Sequence, residues 1–272
     1  MPTPRETLPC RKNNAPLPCL NQHLTDRFQR IDALEDRYTR RIRLALLRDL
    51  ERALALAAAG AMPELIAASV STKHLKAVLH ELYLTVMVQE ARFEYRHLVR
   101  EQKAATGLPV TDWLRRAKNF IALESSKAIV KIAETTRKEV RQVLKEAAAT
   151  GKSIADTARS MRSQITEFNT KRARRIARTE LIGASSAGSY VGALSTGLAL
   201  DKYWITTADA RTRPTHLAAG GQQVDINQPF LIGGEPCRFP ADPALSARER
   251  INCRCAIGYK PKGALRTGSL DL

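Results

Sequence analysis

The sequence predicts an α+β fold that is predominantly α-helical: long N-terminal helices in a bundle or hairpin, then a small C-terminal module of helices plus a short antiparallel β-sheet. Apolar side chains recur at steps of three and four from Leu24 onward, with few glycines. Only 5% of residues are aromatic, which suits helices rich in Ala and Leu better than a β-sandwich. After Gly197, bulky and β-branched residues alternate over short segments, as strands require.

The first half of the chain predicts a leader and three long helices. Residues 1–20 contain five prolines, which lack a backbone donor, so a disordered leader is expected there. Helical spacing predicts helices over 24–59, 63–103 and 111–149, each ended by glycine or proline. Long helices with short breaks pack antiparallel, so residues 21–149 are expected to form a helical bundle or arm. A coiled-coil arm is the alternative.

The remaining residues predict one module over 150–260 and a flexible tail over 261–272. A short helix over 154–165 is followed by a longer one over 171–196, in which Gly188 and Gly192, with Gly183, Ala184 and Ala187, allow close backbone contact with a neighbour. Three strands are expected after the helices, the last pairing with the first, over 202–207, 223–226 and 255–259.

Composition excludes several classes of protein. The chain of 272 residues is 44% hydrophobic and 26% charged, as expected of a folded soluble protein. It contains no run of about 18 apolar residues, so no membrane span is predicted. The N-terminus lacks the apolar core of a secretory signal. Five cysteines are an odd number, which argues against a closed disulfide framework.

The charge balance points to a polyanionic partner. Lys and Arg exceed Asp and Glu by 17 charges, and such an excess attracts nucleic acid through long-range electrostatics. The residues expected to contact DNA crowd the start of one predicted helix: Lys171, Arg172, Arg174, Arg175 and Arg178. The alternative is a solvated helix face without a nucleic-acid role.

An ordered set of short motifs carries a family resemblance. Ala177-Arg178-Thr179-Glu180 is followed by Lys202-Tyr203-Trp204, then by the run from Asp209 through Arg211 and Arg213 to His216. Phe230, the Phe239–Pro243 turn and Asn252-Cys253-Arg254-Cys255 complete the set. Over residues 145–258 the chain resembles the phage Mu F-like minor head proteins, also called the phage head morphogenesis domain family. It departs from that pattern at Ala241, where glycine is frequent, and at Cys237.

The resemblance implies a minor capsid protein of a tailed bacteriophage. Such a protein is expected to bind portal protein, packaged double-stranded DNA, or both during head assembly and DNA packaging or delivery. Scaffold protein and major capsid protein are further candidate partners. The expected location is the virion, in the capsid interior or at the portal vertex, and the host cytoplasm during assembly.

The polar motif residues allow two interpretations. These residues are Glu180, Trp204, Asp209, Arg211, Arg213, His216 and Asn252. In the first, an Arg fork clamps the carboxylate of Asp209 or Glu180 and pins the β region to the helix. In the second, a packaged enzyme acts on phosphodiesters or nucleotides, with His216 as acid or base. No nucleophile motif occurs, so no catalytic residue is assigned and the clamp is favoured.

The cysteines also allow two interpretations. His216, Cys237, Cys253 and Cys255 offer the four N and S ligands that zinc prefers. A Cys-x-Cys spacing is tighter than the usual zinc motif, so the alternative is a buried cysteine pair beside His216 and no cofactor at all. In either case Asp209, Arg211, His216, Cys253 and Cys255 are expected to meet in space.

Overall fold

Long helices form most of the chain, as the apolar spacing predicts. The computed structural model describes residues 11–12, 15–16, 21–102, 110–207 and 209–262. The predicted leader and tail lie almost entirely outside these residues, as does the break at 106–109. The helices are α1 Asn21–Ala58, α2 Pro63–Ala68, α3 Lys73–Gln102, α4 Val110–Phe120, a π-helical turn Ile121–Ser125, α5 Ser126–Ala149, α6 Ile154–Leu194, α7 Pro214–Ala218 and α8 Ala247–Arg250.

The helix boundaries correct the sequence-based prediction at two places. The single helix predicted from Pro63 is two helices, because Asp49 on α1 accepts hydrogen bonds from the backbone N–H groups of His74 (3.0 Å) and Leu75 (2.9 Å) and so caps α3. The two helices predicted from Ile154 onward are one helix of 41 residues. The sequence between them contains neither glycine nor proline, so nothing interrupts it.

The strands lie mainly near the C-terminal end, as expected. They are β1 Arg11–Lys12, β2 Ala15–Pro16, β3 Leu200–Ile205, β4 Gln223–Asp225, β5 Phe230–Ile232, β6 Glu235–Cys237 and β7 Ala256–Pro261. One sheet has the order β4-β3-β7, and both of its pairings are antiparallel. The predicted return of the last strand beside the first is therefore confirmed, with Ile205 opposite Ala256. The β5–β6 hairpin was not predicted, although the Gly233-Gly234 pair at its turn, with φ of +58° and +83°, is a hairpin signal.

The chain divides into two compact units, each assembled from separate segments. The described parts of Met1–Gln29, Met87–Arg115 and Ile182–Leu272 form the first unit, and Arg30–Val86 with Arg116–Leu181 form the second. The predominantly α-helical α+β class predicted from the sequence is confirmed. Among the described helices, none is long and apolar enough to cross a membrane.

A buried ion pair joins helices and sheet inside the first unit. Arg27 on α1 pairs with Glu94 on α3, and donates hydrogen bonds to Ser189 Oγ on α6 (2.8 Å) and to the carbonyl of Ile257 on β7 (3.1 Å). Burial acts to raise the pKa of Glu94, but the charge of Arg27 and hydrogen bonds from His23 and Ser189 outweigh it, so the pKa is lowered. The carboxylate therefore stays ionised inside the protein.

Two glycines let α6 approach α3 closely in the first unit. A Cβ added to Gly188 would lie 2.5 Å from the carbonyl oxygen of Met87, and one added to Gly192 would lie 2.3 Å from that of Ala91. Both contacts are with backbone, which cannot swing aside. The close contact expected from the small residues of this helix is thus confirmed at these two positions.

We predict that Gly192→Ala lowers the free energy of unfolding by about 1–3 kcal/mol, because the methyl group would force the two backbones apart. Urea denaturation measures the change. Ser163→Ala, an exposed position on the same helix, is the control and should change stability little. A Gly192→Ala protein as stable as the control would contradict the close approach.

Candidate functional site

Strand pairing brings the two polar motifs of the C-terminal region together. The loop that contains Asp209 follows β3, and the Cys253–Cys255 segment precedes β7. Because β3 and β7 run antiparallel with Ile205 opposite Ala256, the end of one strand lies beside the start of the other. The loop and the cysteine segment are therefore neighbours although more than forty residues separate them.

Backbone geometry explains two residues of the motif set. Asn252, directly before the cysteines, has a φ of +57°, in the left-handed region that Asn tolerates better than most residues. Ala241, where the family pattern favours glycine, has a φ of +59°. Glycine adopts that conformation without a Cβ clash, which accounts for the preference.

An arginine fork anchors the loop, as the first interpretation requires, but the arginine is Arg254. Its Nη2 lies 2.6 Å from Asp209 Oδ1, and Nη1 pairs with the other carboxylate oxygen. The backbone N–H of Arg211 also donates to Asp209 Oδ1 (3.0 Å), while the Arg211 side chain is 74% exposed. The hydrogen bonds from Arg254, opposed by burial and aided by Arg211, hold the pKa of Asp209 well below its usual range.

The other expected partners of the fork are paired elsewhere. Glu180 accepts a hydrogen bond from Tyr83 (2.5 Å), and Arg178 pairs with Glu35 (2.6 Å), both inside the second unit. Arg213 donates to the carbonyl of Ile251 and so ties the loop to the turn before the cysteines. The clamp is therefore local to the loop and the cysteine segment.

His216, Cys253 and Cys255 form a buried cluster beside this clamp. His216 Nδ1 lies 3.3 Å from Cys255 Sγ and 3.7 Å from Cys253 Sγ, and the three residues are 2%, 1% and 3% exposed. His216 Nε2 lies 3.1 Å from Oε2 of Glu249, which accepts a hydrogen bond from Thr215 Oγ1 (2.8 Å). The sequence carried no signal for Glu249.

The cluster shares its protons unequally. A hydrogen bond from Cys255 lowers the pKa of Cys253 well below its usual value; burial opposes this shift and His216 adds to it. The same hydrogen bond, together with burial, raises the pKa of Cys255. Burial acts to lower the pKa of His216, but the hydrogen bond and charge of Cys253 outweigh it and the pKa is raised. Cys253 is thus the thiolate of the group.

Of the four residues proposed as zinc ligands, three converge. Among the described residues, the ligand atoms of His216, Cys253 and Cys255 lie within 4.8 Å of one another, and Cys237 is not in that group. Burial, aided by the charge of Asp242, raises the pKa of Cys237 to about 12. Burial likewise lowers the pKa of Lys202, whose Nζ donates to the carbonyl of Arg238 (2.8 Å), to about 8.

Aromatic rings cover the cluster. The Trp204 ring packs edge-on against His216, with 5.8 Å between ring centroids, and against Phe230, with 5.4 Å. Trp204 is 1% exposed and Phe230 is fully buried. These rings exclude water from the side of the cluster that faces the sheet.

The residues proposed to bind DNA divide by helix face. Lys171, Arg174 and Arg175 on α6 are exposed. Arg172 points the other way and is 4% exposed; its guanidinium binds Glu139 (2.5 Å) and the carbonyl of Ile132 (2.8 Å). Arg172 therefore holds α6 to α5 and is not available to phosphates.

A second basic surface, which the sequence reasoning missed, follows α5. We name it the α5 stripe; its members, all exposed, are Lys127, Lys131, Lys138, Arg141 and Lys145. Their separations of four, seven, three and four residues keep them on one helix face. That spacing was the signal available in the sequence. Glu134 is the one acidic residue on the same face.

The ionised Asp209 should make stability depend on pH. Its folded-state pKa lies below the unfolded value of about 3.9, so the stabilisation is present above that pH and is lost as the pH falls toward the folded value. We predict that Asp209→Asn is less stable than wild type by about 1 kcal/mol at neutral pH. The difference should shrink below about pH 4.

Urea denaturation between neutral pH and pH 3 measures this difference. Arg211→Gln, which removes an exposed side chain, is the control and should have a smaller effect. A difference between wild type and Asp209→Asn that stays constant over the whole range would contradict the assignment of an ionised, clamped carboxylate.

Comparison with known proteins places this region in a family. Residues 138–258 match the family model described as Phage Mu protein F like protein. YqbB of Bacillus subtilis (strain 168) is 32% identical over 146 residues, covering 52% of this chain and 48% of YqbB. NAD(+)--arginine ADP-ribosyltransferase EFV of Enterococcus faecalis (strain ATCC 700802 / V583) is 38% identical over 108 residues, covering 39% of this chain and 22% of EFV.

The chain therefore spans about half the length of YqbB and about a fifth of EFV. No solved structure matches the chain. The matched segment contains the helix with Arg178 and Glu180, the Asp209–His216 loop and the cysteine segment, which are the motifs that carried the resemblance. Residues 138–258 of this chain belong to the Phage Mu protein F like family, a family of phage head morphogenesis proteins.

Proposed function

We propose that the chain is a minor head protein of a tailed bacteriophage that binds packaged double-stranded DNA without sequence preference. It acts during head assembly and DNA packaging or delivery, in the host cytoplasm and then in the virion, inside the capsid or at the portal vertex. The family of residues 138–258 supports the phage setting. The α5 stripe is the observation that carries DNA binding.

The length of the stripe suits a duplex backbone. From Lys127 to Lys145 the chain advances 18 residues, which at about 1.5 Å per residue is about 27 Å of helix. Double-stranded DNA carries one charge per about 1.7 Å of axis, so a basic ridge of this length faces several phosphates. Phosphate contacts bear no sequence information, so binding through such a ridge is non-specific.

The alternative is a solvated face that binds nothing. Solvated helix faces usually intersperse charges of both signs, whereas Glu134 is the one acidic residue among the five basic ones of the α5 stripe. The net charge of +17 also shows that acidic residues elsewhere in the chain do not balance the basic ones. Lys171, Arg174 and Arg175 add three exposed charges in the same unit.

We predict that the protein shifts duplex DNA of any sequence, with an affinity that falls steeply as salt rises. Each phosphate contact contributes a slope of about −0.9 to the log–log plot of affinity against salt. Lys131→Gln/Lys138→Gln/Lys145→Gln should therefore weaken binding and flatten the slope by about two to three. The control, Lys73→Gln/Lys76→Gln/Lys152→Gln, removes three exposed lysines outside the stripe. Equal effects of the two triple variants would assign DNA binding to overall charge alone.

The proposal extends to the portal protein, on the strength of the family role in head morphogenesis. We predict that the full chain co-purifies with the portal protein encoded in the same phage genome after nuclease treatment, which removes bridging DNA. Scaffold protein and major capsid protein, tested in parallel, show whether the contact is particular to the portal. Loss of the portal on nuclease treatment would leave DNA as the link and contradict a direct contact.

The enzymatic alternative has weaker support. A phosphodiester would need access to His216, yet this residue is 2% exposed and its ring nitrogens face Cys253, Cys255 and Glu249. The ADP-ribosyltransferase activity in the name of EFV belongs to that whole protein, of which the chain covers 22%. We therefore propose a binding role and no catalytic one.

A further inference from the structure

We propose that Cys253, Cys255 and His216 bind one zinc ion, with Glu249 as the carboxylate that orients the histidine. Two sulfur atoms and one ring nitrogen converge from two separate segments, and these atoms lie within 4.8 Å of one another. Two sulfurs and an imidazole are ligands that suit zinc better than harder cations such as magnesium or calcium.

The distances match those of a zinc site. With Zn–S near 2.3 Å and Zn–N near 2.1 Å, tetrahedral angles place the sulfur and nitrogen ligands about 3.6 Å apart. The Nδ1 atom of His216 is 3.3 Å from one sulfur and 3.7 Å from the other. An ion can therefore sit between the three atoms with little rearrangement.

Glu249 is placed as an outer ligand-orienting group. Histidines that bind zinc through one nitrogen commonly present the other N–H to a carboxylate, which fixes the ring orientation and raises its basicity. Here Nδ1 faces the sulfurs and Nε2 lies 3.1 Å from Glu249 Oε2. Glu249 is 3% exposed and is itself held by Thr215. A buried carboxylate in this position is costly unless it serves such a pairing.

The competing explanations account for less of the geometry. A cysteine nucleophile activated by His216 needs a substrate to reach its sulfur, but Cys253 and Cys255 are 1% and 3% exposed. A disulfide between residues two positions apart is strained. A simple hydrogen-bonded pair requires one sulfur on Nδ1, whereas both sulfurs converge on it.

The ion would have three protein ligands and a fourth ligand from solvent. Cys237 lies outside the group of converging ligand atoms among the described residues. Binding displaces the protons of the thiols, because zinc binds the thiolate form. The ion would join α7 to the segment between α8 and β7, where the neighbouring strands β4, β5 and β6 have only three residues each. A region of such short elements gains stability from a local cross-link.

The test uses the full chain. Protein purified from zinc-supplemented cells should contain about one zinc per chain after dialysis. After the metal is removed with a chelator, titration with Co²⁺ should produce the absorption of tetrahedral cobalt and the near-ultraviolet bands of thiolate ligands. Cys253→Ser, Cys255→Ser and His216→Gln should each lose most of the metal. Glu249→Gln should retain it with about 10–100-fold weaker affinity in a chelator competition.

Matched thiol controls define the ligand set. Cys237→Ser, and Cys10→Ser combined with Cys19→Ser, should keep the full metal content. Loss of metal in Cys237→Ser would overturn the three-ligand assignment. Wild-type protein that carries no zinc and gives no thiolate absorption with Co²⁺ would overturn the site itself, and this measurement does not depend on any variant folding. An unchanged affinity in Glu249→Gln would remove the role assigned to Glu249.

Discussion

The buried contact between Arg27 and Glu94 is the interaction on which the first unit depends. It joins α1, α3, α6 and β7 through one guanidinium, one carboxylate, the Ser189 hydroxyl and the Ile257 carbonyl. Removal of one partner from such a pair leaves a buried charge uncompensated and costs about 3–5 kcal/mol. The strand it holds is the one that begins directly after Cys255, so the position of the cysteine segment rests on this contact.

Small residues on α6 make that contact possible. Gly188 and Gly192 bring the α6 backbone against α3, and Ser189 lies between them in sequence. From there its hydroxyl reaches Glu94 (2.9 Å) and is reached by Arg27 (2.8 Å). A larger residue at either glycine would move the hydroxyl away from the charges it satisfies. The glycines, the ion pair and the sheet therefore form one physical dependency.

Distinctive chemistry and binding surface are separated in this protein. The thiols, His216 and Glu249 are buried, where they can hold an ion or a turn but cannot meet a large substrate. The exposed groups that could meet a partner are basic side chains on α5 and α6. This separation favours a protein that works by binding. It also explains why Arg172, which belongs to the same sequence cluster as Lys171 and Arg174, has a structural role.

The sequence by itself determined the helical α+β class, the antiparallel return of the last strand, the family of residues 138–258 and the meeting of His216 with Cys253 and Cys255. These follow from periodicity, which reports local structure, and from strand pairing, which brings known neighbours along. Only the tertiary structure decided which arginine clamps Asp209, which carboxylate faces His216 and which basic side chain turns inward.

Those three choices depend on side chains that meet from distant parts of the chain. Arg254 and Asp209 are 45 residues apart, and Glu249 and His216 are joined by the fold rather than by spacing. Arg172 looks like its exposed neighbours until α5 covers its face of the helix. Periodicity shows that a helix has an apolar face, but packing decides which polar residues at its border are covered.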